Sequence, residues 1–414
     1  MEYIFALFYL SGIIKSFFIY YQIPVPVDLT LASMALMLIS IVFYYSKEKI
    51  PLQYSKNNLF ALIFLVLFYV WLLITLFYTP SKSYSYQKAL LFIPNLLAFA
   101  YPLVFKKFNI AKFFRIVSLI LPIISVVFIN IYLEYSNSGN SDVELFESIL
   151  GLYLVCATLL GINVLVIACS KEKIFKSSLM SAGVLTISLL MMLILGARGP
   201  LLFCLVILLI FMGYKLVLTF YYQKILISEI RKILYGFLVV VMFLGLFLFF
   251  GDELNYLIRR SLVRFELLMP SDGNTNNMGH SVDVRVDQLN FGMELITDNF
   301  QDSMLGYGIG SFGILHTGKD GRSYPHNIFL EIWIEAGLIG LLAFFVFLWM
   351  IFSKNINGIR YISILVLIYI LMNSLKSSSF IDIRVYFAIF GMYILNTNAK
   401  NSFSNYQSTN LPQV

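Results

Sequence analysis

The sequence predicts an all-α integral membrane protein, with about twelve transmembrane helices and one large loop on the outer side of the membrane. Two observations carry most of that expectation. Of the 414 residues, 60% are hydrophobic and only 12% are charged, where soluble domains run nearer ~45–50% and ~25%. The apolar residues also fall in runs that approach the ~20 residues needed to cross ~30 Å of hydrocarbon at ~1.5 Å per helical residue. A third observation sets the type of element. No alternating strand pattern suggests a barrel, and lipid offers no partner for open backbone groups, so runs this apolar must be helical.

In chain order the expected spans are 3–22, 27–45, 58–78, 87–105, 113–133, 147–169, 178–197, 200–221, 233–251, 327–352, 360–376 and 382–397. The first contains Lys15 and lacks a small-residue cleavage site, so it reads as a retained helix. Orientation follows from Lys and Arg in the short loops. With the N-terminus in the cytoplasm, the inside loops hold clusters such as Lys47, Lys49 and Lys56, then Lys106, Lys107, Lys112 and Arg115, then Lys171, Lys173 and Lys176. The outside short loops hold Lys82, Lys88, Arg198, Lys376 and Arg384. Both termini then face the cytoplasm. The chain divides into helices one to nine (1–251), an extracytoplasmic loop (252–325), helices ten to twelve (326–397) and a cytoplasmic tail (398–414), which is rich in Asn and Ser and expected to be unstructured.

The net charge of +7 is mostly this topogenic signal. A nucleic-acid partner would need a soluble basic face, and none is present. Cys156, Cys169 and Cys204 lie in spans, show no metal or disulfide spacing, and read as packing residues.

All three histidines, His280, His316 and His326, fall in or just beyond the outer loop. The stretch after Gly279 reads as an amphipathic helix, capped by Ser281, with Val286, Leu289, Met293 and Ile296 on its apolar face and Arg285 and Asp287 on the other. The run Gly306-Tyr307-Gly308-Ile309-Gly310 is a candidate for backbone contact with phosphate, although it has neither the strand-to-helix context of a nucleotide fingerprint nor a Walker lysine. His280 and His316 read as solvated. His326 sits at the start of the tenth span. The helix dipole there disfavours imidazolium, so the ring reads either as a cap or as a neutral proton acceptor. Arg198, in Gly196-Ala197-Arg198-Gly199-Pro200, has small neighbours that leave a guanidinium room for a bulky anion. Asn327, Glu331 and Glu335 share one face of the tenth helix, and Glu335 is a candidate partner for Arg384 across the bundle.

Taken in order, these residues resemble the O-antigen polymerase and ligase superfamily. Gly-Ala-Arg198-Gly-Pro is similar to that family's small-residue arginine turn, with Ala197 where Ser is usual. Arg285 and its amphipathic helix follow, then Leu305-Gly-Tyr-Gly-Ile-Gly-Ser-Phe312, then His326-Asn327-Ile-Phe-Leu-Glu331 continuing to Glu335-Ala-Gly-Leu-Ile-Gly340. The resemblance implies a GT-C type membrane glycosyltransferase of the bacterial inner membrane, acting at its outer face on undecaprenyl-diphosphate-linked sugars with no metal and no cofactor. It implies catalytic roles for Arg198, Arg285 and His326, and it makes a chain-length regulator and a flippase expected partners. Asn327, Glu331 and Glu335 are the further candidate substrate contacts. The composition, rich in Phe, Ile, Tyr, Lys and Asn, favours a polymerase of O-antigen, capsule or exopolysaccharide. A ligase acting on lipid A–core is the first alternative. A flippase is the second, although it would be expected to line a central cavity with charges.

Overall fold

A computed structural model describes residues 1–24, 26–48, 56–105, 108–138, 152–221, 280–353 and 361–398. Among these residues every regular element is an α-helix. They are α1 (Glu2–Tyr20), α2 (Leu29–Glu48), α3 (Lys56–Thr75), α4 (Tyr84–Val104), α5 (Ile110–Ser138), α6 (Leu152–Cys169), α7 (Ser178–Ile194), α8 (Arg198–Tyr221), α9 (His280–Asp298), α10 (Phe300–Leu305), α11 (Ser311–Thr317), α12 (Ile328–Phe352), α13 (Ile364–Ser377) and α14 (Arg384–Asn398). Eleven of the twelve expected spans coincide with helices. The ninth, at 233–251, lies outside the described residues, as do the polar half of the loop before His280 and the tail after Asn398.

Seven of the helices are long and apolar enough to cross a membrane, namely α1–α5, α8 and α12. The apolar stretches of α6, α7, α13 and α14 are shorter. The chain is therefore a multi-pass α-helical membrane protein. Its helices bury aromatic and aliphatic side chains against one another and leave others of both kinds outward. On α2, for example, Ile39, Val42 and Phe43 are exposed while Met37 is fully buried. In a bilayer that outward surface meets lipid, so apolar exposure carries no penalty. All three cysteines are free and buried, as their place in the spans predicts.

The break in α12 organises the region around it. Gly337 has φ 66° and ψ −176°, a conformation that interrupts the helix and that only glycine adopts without strain. The break frees carbonyls, and each finds a partner. Ile334 O accepts from Tyr307 N at 2.8 Å and Glu335 O accepts from Gly308 N at 3.0 Å. Ala336 O accepts from Trp71 Nε1 at 2.7 Å. The glycine run expected to meet phosphate is thus docked into the kink. A Cβ at Gly306 would lie 2.4 Å from Gly337 N, and one at Gly308 would lie 2.5 Å from Thr79 Cβ. Ile309 N donates to Thr75 Oγ1 at 3.0 Å. These amides are used inside the protein, so the glycines serve close backbone packing and not ligand binding.

Candidate functional site at one end of the bundle

Two ties hold the segment that leads into α12. Asp320 accepts hydrogen bonds from Ser81 Oγ (2.6 Å), Ser83 N (2.8 Å) and Lys82 N (3.0 Å) at the turn between α3 and α4. The Ser81 hydroxyl and these amides hold its carboxyl below the usual carboxylate range. Arg322 donates to Asp382 at 2.5 Å, in the turn between α13 and α14. The segment is therefore anchored to both sides of the bundle just before Tyr324 and His326.

His326 is held in an unusual way. Its φ is 56°, and it and Gln22 are the non-glycine residues with positive φ among the described residues. Such backbone costs about 1–3 kcal/mol and concentrates at ligand sites. Its ring packs on Tyr324 with centroids 4.5 Å apart. Its Nδ1 is buried and has no hydrogen-bond partner among the described residues. Burial pushes the imidazole down to about 4, helped by the positive charges of Arg285 and Arg322. The ring is therefore neutral at pH 7 and able to accept a proton.

Next to it stands a group of cations from separate helices. Arg198 is the first residue of α8, Arg285 is on the first turns of α9, and Lys376 is at the end of α13. The charges of Arg285 and Arg198 both act on the Lys376 ammonium, and Arg285 also acts on His326. The three residues expected to be catalytic, Arg198, Arg285 and His326, are thus gathered at one end of the bundle although they are far apart in sequence. Lys376 is the member that sequence reasoning passed over, having read it as a topogenic loop charge. Its only signal in the sequence is a cation at the outer end of a span.

The other expected contacts are placed differently. Asn327 is the N-cap of α12, its Oδ1 accepting from Phe329 N (3.0 Å) and Leu330 N (3.2 Å). Glu331 and Glu335 do share a face, as their spacing predicts, but both are fully buried behind the site. Lys88 Nζ donates to Glu331 Oε1 at 2.6 Å and to Glu335 Oε1 at 2.7 Å. Ser379 Oγ and Phe380 N also donate to Glu331, at 2.7 and 2.9 Å. Substrate contact by these two carboxylates does not fit this geometry, because protein groups already engage them. Lys88 is accordingly a buried residue of α4 and not the outer-loop charge expected. Arg384 is not the partner of Glu335. It lies over the Phe8 ring, 4.8 Å from its centroid, and donates to Thr30 Oγ1 at 3.4 Å.

The amphipathic helix is present as α9, with two differences. Ser281 lies inside it, because the helix already includes His280. The face packed on the bundle carries Leu295 and Ile296, with Phe291 partly buried beside them. Val286, Leu289 and Met293 are exposed instead. Gly292 fits this packing: a Cβ there would lie 3.0 Å from side-chain atoms of Leu330 and Ile334, so α9 and α12 approach closely at that glycine. His316 is not solvated as expected. Its Nε2 is 3.1 Å from Asp287 Oδ2, and its ring stacks on Phe312 at 5.5 Å.

A neutral proton acceptor beside several fixed cations suits chemistry that develops negative charge on a leaving group while a hydroxyl loses its proton. Comparison with known proteins points the same way. No curated protein matches the chain. Residues 183–345, a stretch that holds Arg198, Arg285 and His326 but neither Lys88 nor Lys376, match the Wzy_C family model, described as O-antigen ligase. Members of that family are glycosyltransferase-like enzymes, and over these residues the chain is similar to them, which supports a place in the O-antigen polymerase and ligase superfamily.

Proposed function

We propose that the protein is a polysaccharide polymerase of the bacterial inner membrane. It transfers a growing glycan from undecaprenyl diphosphate to a lipid-linked repeat unit at the outer face. The observation that carries the reading is the meeting of Arg198, Arg285 and His326 at one end of the bundle. The acceptor hydroxyl oxygen attacks the anomeric carbon, and the bond from that carbon to the diphosphate oxygen breaks. The electron pair leaves on the diphosphate, whose new charge Arg198 and Arg285 stabilise through bidentate hydrogen bonds. The hydroxyl proton passes to His326, a step typically worth ~10²–10⁴-fold in rate. In-line attack inverts the anomeric centre. The arginines supply the charge stabilisation that a metal provides elsewhere, so the reaction needs none.

In this reading residues 252–325 face outward and both termini lie in the cytoplasm. A flippase delivers the lipid-linked repeats, and a chain-length regulator sets how many are joined. The transporter reading has no support from the family match. The ligase reading is the second choice, favoured by the description of the matched family. The composition of the chain favours the polymerase. Deleting the gene and running surface polysaccharide on a gel separates the two. A single repeat on core is the expected result. Bare core with polymer stranded on carrier lipid would assign the ligase, and an unchanged ladder would remove both for that polysaccharide.

A further inference from the structure

Lys376 needs an account of its own. It is exposed at the end of an otherwise apolar helix. Among the described residues no carboxylate pairs with it or with Arg285. Its ammonium faces the charges of Arg198 and Arg285. Cations brought together near a surface attract an anion. Its position is also built by its neighbours. The ammonium lies 5.8 Å from the centroid of the Phe203 ring. A Cβ on Gly199 would lie 2.8 Å from Nζ, and 3.2 and 3.3 Å from Cδ and Cε. The lysine therefore rests along the bare backbone of Gly199, beside Arg198 on the same helix. Any larger residue at 199 would push it away.

We propose that Lys376, seated on Gly199 and Phe203, is a substrate-binding residue that completes with Arg198 and Arg285 a three-cation site for a diphosphate ester. The proposal rests on the glycosyl-transfer reading above and extends it in one respect. Two arginines match the forked geometry of two phosphate oxygens, whereas an ammonium is a point charge that can follow the distal phosphate as its bond breaks. A third cation suits the site to a diphosphate more than to a monophosphate.

The test uses full-length protein purified in detergent, with undecaprenyl diphosphate as probe and undecaprenyl monophosphate and phosphatidylglycerol as comparisons. Wild type is expected to bind the diphosphate most tightly. Removing one charge-assisted contact with Lys376→Met weakens diphosphate binding about tenfold, with a smaller effect on the monophosphate and an unchanged unfolding temperature. Lys376→Arg restores most of the affinity, and Gly199→Ala weakens it by moving the lysine. Equal losses for phosphatidylglycerol and the diphosphate would make the site a headgroup anchor and overturn the proposal. Lys376→Met with wild-type affinity would also overturn it. If Arg198→Ala and Arg285→Ala still lose binding in that case, the glycosyl-transfer reading survives. If they too bind normally, both fail. Should Lys376→Met fold poorly, Lys376→Gln and the Gly199→Ala variant carry the same comparison.

Discussion

Two groups of charges meet near the start of α12, and they have opposite designs. Behind the helix, Lys88 is fully buried between Glu331 and Glu335, and Ser379 and Phe380 also donate to Glu331. In front of it, Arg198, Arg285 and Lys376 converge with a neutral histidine beside them. The rear group brings together both signs and is closed to solvent. The front group brings together three cations, with Lys376 exposed. A buried charge must be paired, because its desolvation is not repaid otherwise. A cluster of one sign near the surface is tolerable in water and becomes favourable when an anion arrives. Opposed charges in the interior therefore mark a fastening, and like charges at the end of the bundle suit the receptor for an anion proposed above.

The largest effect should come from breaking the fastening. Lys88→Met leaves two carboxylates in a dry interior, and removing one partner of a buried pair costs about 3–5 kcal/mol. The unfolding temperature in detergent should fall sharply, or folded protein should vanish from size-exclusion profiles. Adding Glu331→Gln and Glu335→Gln to Lys88→Met should recover part of the loss. If Lys88→Met kept full stability and lost only activity, Lys88 would belong with the receptor, and the contrast between the two groups would be wrong.

The receptor should respond in the opposite way. His326→Gln is expected to lower turnover by about 10²–10⁴-fold with little change in stability. In wild type, activity falls as pH drops through the imidazole value, because only the neutral ring accepts a proton. That value is about 4, against 6.5 for a free histidine, in the protein without substrate. A bound diphosphate offsets the nearby cations and raises it, so the acid limb of kcat should lie at higher pH than that of kcat/KM. The same depression has a consequence for stability. The unfolded chain takes up this proton below 6.5 while the folded one resists until about 4, so stability is lost as pH falls through that window. An acid limb that persists unchanged in the residual activity of His326→Gln would assign it to another group.

Somewhat smaller is the loss expected for Arg285→Ala or Arg198→Ala, about 10²–10³-fold in glycan transfer, the usual result of removing one donor to developing negative charge. Unfolding temperatures should stay close to wild type. Full polymer formation by either variant at normal protein levels would end the role given to that arginine.

The two groups were not equally legible in the sequence. The spans are plain because hydropathy is a local property, and eleven of the twelve coincide with helices. The trio of Arg198, Arg285 and His326 was accessible through motif order, each in a short recognisable stretch. Lys88 and Lys376 were read as charges that orient the chain, because the positive-inside rule weighs every lysine near a span alike. What distinguishes them is long-range. Lys88 meets carboxylates 243 and 247 positions away, and Lys376 rests on a glycine of another helix. Glu331 and Glu335 were seen to share a face, but spacing on one helix does not say whether that face looks toward a substrate or toward a lysine. The glycine run misled for a related reason. Glycines that admit a phosphate and glycines that admit another backbone look alike until the kink at Gly337 is placed opposite them.

Asn327 lies on the border between the two groups and gives the finest test of the contrast. It adjoins His326, which suggests substrate contact, yet its Oδ1 caps α12 through Phe329 N and Leu330 N. Loss of a cap costs about 1 kcal/mol, within a range of 0.5–2. Asn327→Ala should therefore lower stability by about that amount. Asn327→Asp and Asn327→Ser retain an oxygen that can cap and should restore it. Activity should follow the cap, because the first turn of α12 fixes where the strained backbone of His326 points. If instead Asn327→Asp were stable but showed a raised KM, the lost amide nitrogen would be identified as a substrate contact, and the receptor would extend one residue further along α12.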